Sequence, residues 1–91
     1  MKTIFQSQRH PEVIIKVDLT DVNIKAKLFA WFNFKHNKLF NELCMWEGGE
    51  VDITEWGDIR LSGDNGILDL EPIRVDDLSE LKLNNLVTNL I

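Results

Sequence analysis

The chain has one cysteine, Cys44, so no disulfide can close within it, and no Cys/His cluster offers the spacing of a zinc module. Its apolar runs are short and broken by Lys, Asp or Glu, which leaves no stretch for a membrane-spanning helix. The first residues, Met1-Lys2-Thr3-Ile4-Phe5-Gln6, lack the long apolar core of a signal peptide, and the expectation is a cytoplasmic protein. Neither Gly48-Gly49 nor the Gly63-Asp64-Asn65-Gly66 segment has the spacing of a phosphate-binding loop. The Asp-Asn-Gly run at 64–66 also lacks the downstream bidentate Glu of a calcium loop. The polar groups that could serve as nucleophile or base are Cys44, His10, His36, Ser7, Ser62 and Ser79, and none sits in a nucleophile elbow. Cys44 falls in an apolar run, where an inert buried thiol is expected, and both histidines fall at turns, where solvation is expected. Repeats, low-complexity tracts and linkers are missing as well. No enzyme activity, cofactor or metal is expected.

What is present is an ordinary globular balance, 44% apolar and 27% charged over 91 residues, which is enough for one domain spanning 1–91 and too little for two. The net charge of −5 is unevenly divided. Residues 1–41 carry seven basic side chains against three acids, a local +4. Residues 42–80 carry twelve acids against Arg60 and Arg74, a local −10. A division of this size either pairs internally across the fold or steers partners from outside.

The pattern predicts an α+β protein, an antiparallel β-sheet of about four to six strands with a short central helix and a C-terminal helix packed on one face. Pro11 marks an early turn, and Val13, Ile14, Ile15 and Val17 predict a strand over 12–19. Val22, Ile24, Ala26, Leu28, Ala30, Phe32 and Phe34 occupy every second position and predict a long strand, with Lys25, Lys27, Phe29, Trp31 and Lys35 on its other face. Leu39, Phe40, Leu43, Cys44 and Trp46 then follow helical spacing, with Asn37 as a possible N-cap and Gly48-Gly49 as the stop. Alternation at 51–54 and 59–62 predicts two strands. Gly63-Asp64-Asn65-Gly66 predicts a hairpin turn using the positive φ that Asn-Gly tolerates. Ile67, Leu68, Leu70, Ile73 and Val75 continue the sheet, and Pro72 places that strand at an edge or at its end. Asp77 with Glu80, followed by Leu78, Leu81, Leu86 and Leu90, predicts the C-terminal helix.

Three functional readings follow. Twelve carboxylates in the acidic segment form a strip that can imitate a phosphate backbone and compete for the basic groove of a nuclease or nucleic-acid-binding effector. Glu47, Glu50, Asp52, Glu55, Trp56, Asp58 and Asp64 are the expected contacts, with Trp46 and Trp56 as aromatic anchors or as core residues. Phage-type inhibitors of defence nucleases and immunity proteins of nuclease toxins share this profile of size and charge. A second reading stacks single-stranded nucleic acid on a row of Lys25, Lys27, Phe29 and Trp31, spaced about 7 Å along one strand face. A third makes the chain a homo-oligomer subunit, a possible homodimer burying the leucine-rich helix and the Phe29/Trp31 face against a second copy.

Overall fold

A computed structural model describes residues 3–73. Within them the order is β1 (Thr3–Gln6), β2 (Ile14–Val17), α1 (Ile24–Lys35), α2 (Asn37–Glu42), α3 (Met45–Gly48), β3 (Glu50–Ile53), β4 (Ile59–Gly63) and β5 (Gly66–Ile73). The five strands form a curled sheet in the order β2-β1-β5-β4-β3, with every neighbouring pair antiparallel. The predicted α+β class with an antiparallel sheet is therefore what the chain adopts. The C-terminal helix expected over 77–90 lies outside the described residues.

One face of the sheet is the core. Phe5, Ile15, Val17, Val51, Ile59, Leu61, Leu68 and Leu70 point to it from the strands and meet Ile24, Leu28, Trp31, Phe32, Phe40 and Met45 from the helices. The alternation read over β3 and β4 and at Leu68 and Leu70 is the alternation of buried and outward side chains observed there. β1 escaped the sequence reading because Ile4 and Phe5 are adjacent and both buried, which gives no alternation over four residues.

The segment 22–35 corrects the reading most. It is a helix, not a strand. Its even-numbered apolar residues separate into two rows of four-residue spacing on opposite sides of α1. Ile24, Leu28 and Phe32, with Trp31, are buried in the core. Val22, in the preceding turn, continues the row of Ala26, Ala30 and Phe34, all of them exposed. An alternating pattern and a doubly striped helix are the same sequence, since positions two apart fall roughly 200° apart on a helix. The run of Lys, Ala and Leu without Gly or Pro then decides for helix. The basic residues of the segment sit where a helix tolerates them. Lys25 is exposed, Lys35 is the last helical residue, and His36 is its C-cap.

The predicted central helix is present as two pieces. It breaks at Cys44, which adopts left-handed backbone (φ 57°) and is half-buried rather than sealed in the core. The N-cap position of α2 is His36, one residue before the predicted Asn37, and it makes no side-chain cap bond. Gly49 follows α3 as its C-cap, as the Gly48-Gly49 stop predicted. The break brings the Leu43 carbonyl onto the β4–β5 hairpin, where it accepts the Asn65 N–H at 3.0 Å. Gly63 makes that approach possible, because a Cβ there would lie 2.2 Å from the same carbonyl oxygen. The predicted hairpin is present: Asp64 and Asn65 span the turn between the paired Gly63 and Gly66, and of the Asn-Gly pair only Gly66 takes a positive φ, 158°.

β5 is the central strand, not an edge. Pro72 is accommodated because β4 pairs with β5 only as far as Leu70, so at Pro72 the strand has a partner on the β1 side alone. Among the described residues, no helix is long and apolar enough to cross a membrane.

Candidate protein-docking surface

Glu50, Asp52, Glu55 and Asp58 lie along the β3–β4 hairpin, at an edge of the sheet formed by the described residues. Among the described residues β3 pairs only with β4, and its Glu50 and Asp52 point away from the core, opposite Ser62 and Arg60. One end of the hairpin is the turn over 54–58. The Thr54 hydroxyl accepts the Asp58 N–H at 3.1 Å, the Thr54 N–H reaches the Asp58 carbonyl at 2.9 Å, and Gly57 takes φ +85°. These bonds hold Glu55 and Trp56 outward, and Trp56 is 85% exposed. The other end brings α3 to the β4–β5 turn. There Gly48 approaches so closely that a Cβ on it would lie 3.0 Å from the Asp64 carboxylate. Glu50 and Asp52 on β3, with Glu55, Trp56 and Asp58 at the 54–58 turn, form a band along one edge of the sheet, while Asp64 lies on the β4–β5 turn beside Gly48 and Glu47 is exposed on α3.

The band is partly compensated from within the protein. Asp52 lies 3.7 Å from the Lys25 ammonium at the start of α1. Arg60 stands between acids on both neighbouring strands, opposite Asp52 on β3 and Asp69 on β5. Its Nε donates to the Asp69 carboxylate at 2.9 Å. That bond, with the fields of Asp69, Asp52 and Asp58, raises the guanidinium pKa above its ordinary value, so Arg60 stays charged.

Asp69 and Glu71, counted in the acidic strip, and Gln8 and Arg9 are not among the seven expected contacts. Alternation along β5 carried the signal for the two acids, since Leu68 and Leu70 point inward and Asp69 and Glu71 must then point out. The partner of Asp69 is Arg60 on β4, whereas that of Glu71 comes from the β1–β2 loop, which no local pattern connects to β5. The Gln8 amide donates to Glu71 at 2.7 Å and Arg9 Nη2 to the Ile67 carbonyl at 2.9 Å. Between that loop and the outer face of β4–β5 lies an open cleft of about 390 Å³, with guanidiniums and carboxylates on its walls. Walls of mixed sign do not make a phosphate site.

Trp46 and Trp56 prove to be surface residues, but they occupy different surfaces. Trp46, 62% exposed, belongs to the helical layer. Its ring packs edge-on against Phe40 at 4.8 Å and its indole N–H donates to the Asn41 amide oxygen at 2.5 Å. Asn41 donates in turn to Asn37, and Asn37 to Asn33, each at 2.9 Å, so a ladder of amides crosses the α1–α2 break.

The row of Lys25, Lys27, Phe29 and Trp31 does not exist, because it required a strand. On α1 they divide between two sides, Lys25 with Phe29 and Lys27 with Trp31. Trp31 is 1% exposed in the core, Phe29 is half-buried edge-on to Phe40, Lys25 turns to Asp52, and Lys27 pairs with Asp21. Trp31 can neither stack a base nor meet a second copy of the chain. His36, expected in solvent, is half-buried against Trp31 and Phe32, at ring distances of 5.3 and 6.0 Å. Burial lowers its pKa below the ordinary 6.5. Among the described residues, no three His, Cys, Asp or Glu side chains are grouped to hold a metal ion. Compared with protein-family models, with curated proteins and with solved structures, the chain matches none of them.

Proposed function

We propose that this chain is a non-enzymatic docking protein that binds a basic partner through the acidic edge of β3–β4 and blocks the partner's nucleic-acid groove. The observation that carries the reading is Trp56, 85% exposed at the tip of a hydrogen-bonded turn and flanked by Glu55 and Asp58. An exposed tryptophan costs solubility unless something covers it. Aromatic anchors ringed by charge are how strong contacts are commonly built. Glu50 and Asp52 extend the same negative field along the edge, which favours fast association with Lys/Arg-rich surfaces such as those of nucleases or nucleic-acid-binding effectors. On this reading the chain acts as an inhibitor, in the manner of a phage anti-defence or immunity protein.

The test is capture from cells with the wild-type chain and with a variant reversing Glu50, Asp52, Glu55 and Asp58 to Lys. The wild type should retain a basic nucleic-acid-binding protein at low salt, release it as salt rises, and compete with nucleic acid for it. The variant should retain none of it. Equal retention by both chains removes the acidic edge from the function.

A further inference from the structure

We infer that the cleft between the β1–β2 loop and the outer face of β4–β5 binds a short peptide by its two charged ends. Its volume of about 390 Å³ falls within the range of small-ligand sites. The loop wall is preformed. The Ser7 N–H donates to the Val13 carbonyl at 3.0 Å and the Val13 N–H to the His10 carbonyl at 2.8 Å. The His10 N–H returns to the Ser7 hydroxyl oxygen at 3.0 Å, and Ser7 is buried. The floor is strand, where Ile67, Asp69 and Glu71 point outward in one row, about 7 Å from each to the next.

The charges of this cleft are unequally matched. Arg60 and Asp69 neutralise each other at 2.9 Å. The Arg9 guanidinium is held only by a neutral group, the Ile67 carbonyl, and the Glu71 carboxylate only by the neutral Gln8 amide. Among the described residues, neither Arg9 nor Glu71 has an ion-pair partner. Arg9 is anchored at Ile67, and Glu71 stands four residues further along β5. The unmatched cation and the unmatched anion therefore lie toward opposite ends of the cleft, roughly 13 Å of strand apart.

That spacing selects the ligand. A phosphate or a polyamine carries one sign only and is repelled by half of the wall. A free α-amino acid has both signs but holds them too close together to reach both ends. An extended chain advances about 3.3–3.6 Å per residue, so a peptide of three or four residues places its termini at the two ends. Its carboxylate meets Arg9, whose remaining N–H groups form a planar fork suited to a carboxylate, and its ammonium meets Glu71. Ile67, 48% exposed beside the Arg9 anchor, offers apolar surface to the C-terminal side chain. Neither Arg9 nor Glu71 belongs to the β3–β4 edge, so this site goes beyond the docking reading.

A chemical-shift titration of the full, ¹⁵N-labelled chain tests the site with the peptide Ala-Ala-Leu in three forms: free at both ends, N-acetylated, and C-amidated. The free peptide should give saturable shifts confined to residues 7–9 and 67–71. Capping either end should weaken binding by about fivefold, the scale of one solvent-accessible ion pair. Arg9→Gln should bind the free and amidated peptides alike, and Glu71→Gln the free and acetylated peptides alike. Lys38→Gln, on the helical layer, should behave as the wild type. The spectra themselves report that each variant is folded. Absence of saturable shifts at about 10 mM free peptide overturns the proposal, since that lies beyond a millimolar dissociation constant. So does equal binding of all three peptides, or a shift pattern centred on Glu50 and Asp52. No basic protein enters this titration, so its failure leaves the reading of the β3–β4 edge untouched.

Discussion

His36 closes α1 against the rings of Trp31 and Phe32, and its burial has a consequence in pH. A histidine whose folded pKa is lowered is held neutral by the fold. Its contribution to stability is therefore complete above the unfolded value of 6.5 and is lost as pH falls through that value toward the lower folded pKa. The thermal midpoint of the wild type should drop between about pH 7 and pH 5, and His36→Phe, which keeps the ring contact, should flatten that part of the curve. An unchanged slope in the variant would place the titrating group elsewhere. Beside it, the buried Trp31 indole N–H has no hydrogen-bond partner among the described residues. Trp31→Phe removes that donor along with part of the ring. It should therefore cost less, by roughly 1–3 kcal/mol in urea unfolding, than the lost area alone implies. Trp31→Ala should cost about 3–5 kcal/mol.

At the scale of elements, legibility followed how many faces each element buries. β3 and β4, and the Leu68/Leu70 part of β5, bury one face and expose the other, so a period of two was enough to find them. α1 carries apolar residues on two opposite faces, and its two rows add up to the alternation of a strand. The α2–α3 break had no sequence signal, because left-handed backbone at a cysteine follows from the approach of the Leu43 carbonyl to the β4–β5 hairpin and not from local preference. That conformation is strained for any residue with a Cβ, by roughly 1–2 kcal/mol. Cys44→Gly should hold or raise the denaturation midpoint, while Cys44→Val, branched at Cβ, should lower it. Gly63→Ala should lower it by about 2 kcal/mol or more, the range of backbone clash in a packed site, because the new methyl group meets a carbonyl oxygen that cannot rotate away. Equal midpoints for all three variants would mean that the joint adapts freely.

For the molecule as a whole, the count of carboxylates was readable from the sequence, but their grouping was not. Glu50 and Asp52 needed the β3–β4 register to place them opposite Ser62 and Arg60, and Asp69 needed β5 beside β4 to bring it to Arg60. That register makes Arg60 the counter-charge of the acidic face, between Asp52 and Asp69 on the neighbouring strands and within the field of Asp58. Arg60→Leu leaves these carboxylates facing one another across water, where repulsion acts over a Debye length of about 10 Å at 0.1 M salt and about 3 Å at 1 M. The variant should melt below the wild type at low salt, and the gap should narrow as sodium chloride rises toward 1 M. A gap that ignores salt would mean that Arg60 acts through its hydrogen bond to Asp69 and the packing of its stem, and not through the field. The salt-dependent result carries a second consequence, because the same substitution makes the edge more negative. Arg60→Leu should then associate faster with a basic partner than the wild type does, even though it folds less stably.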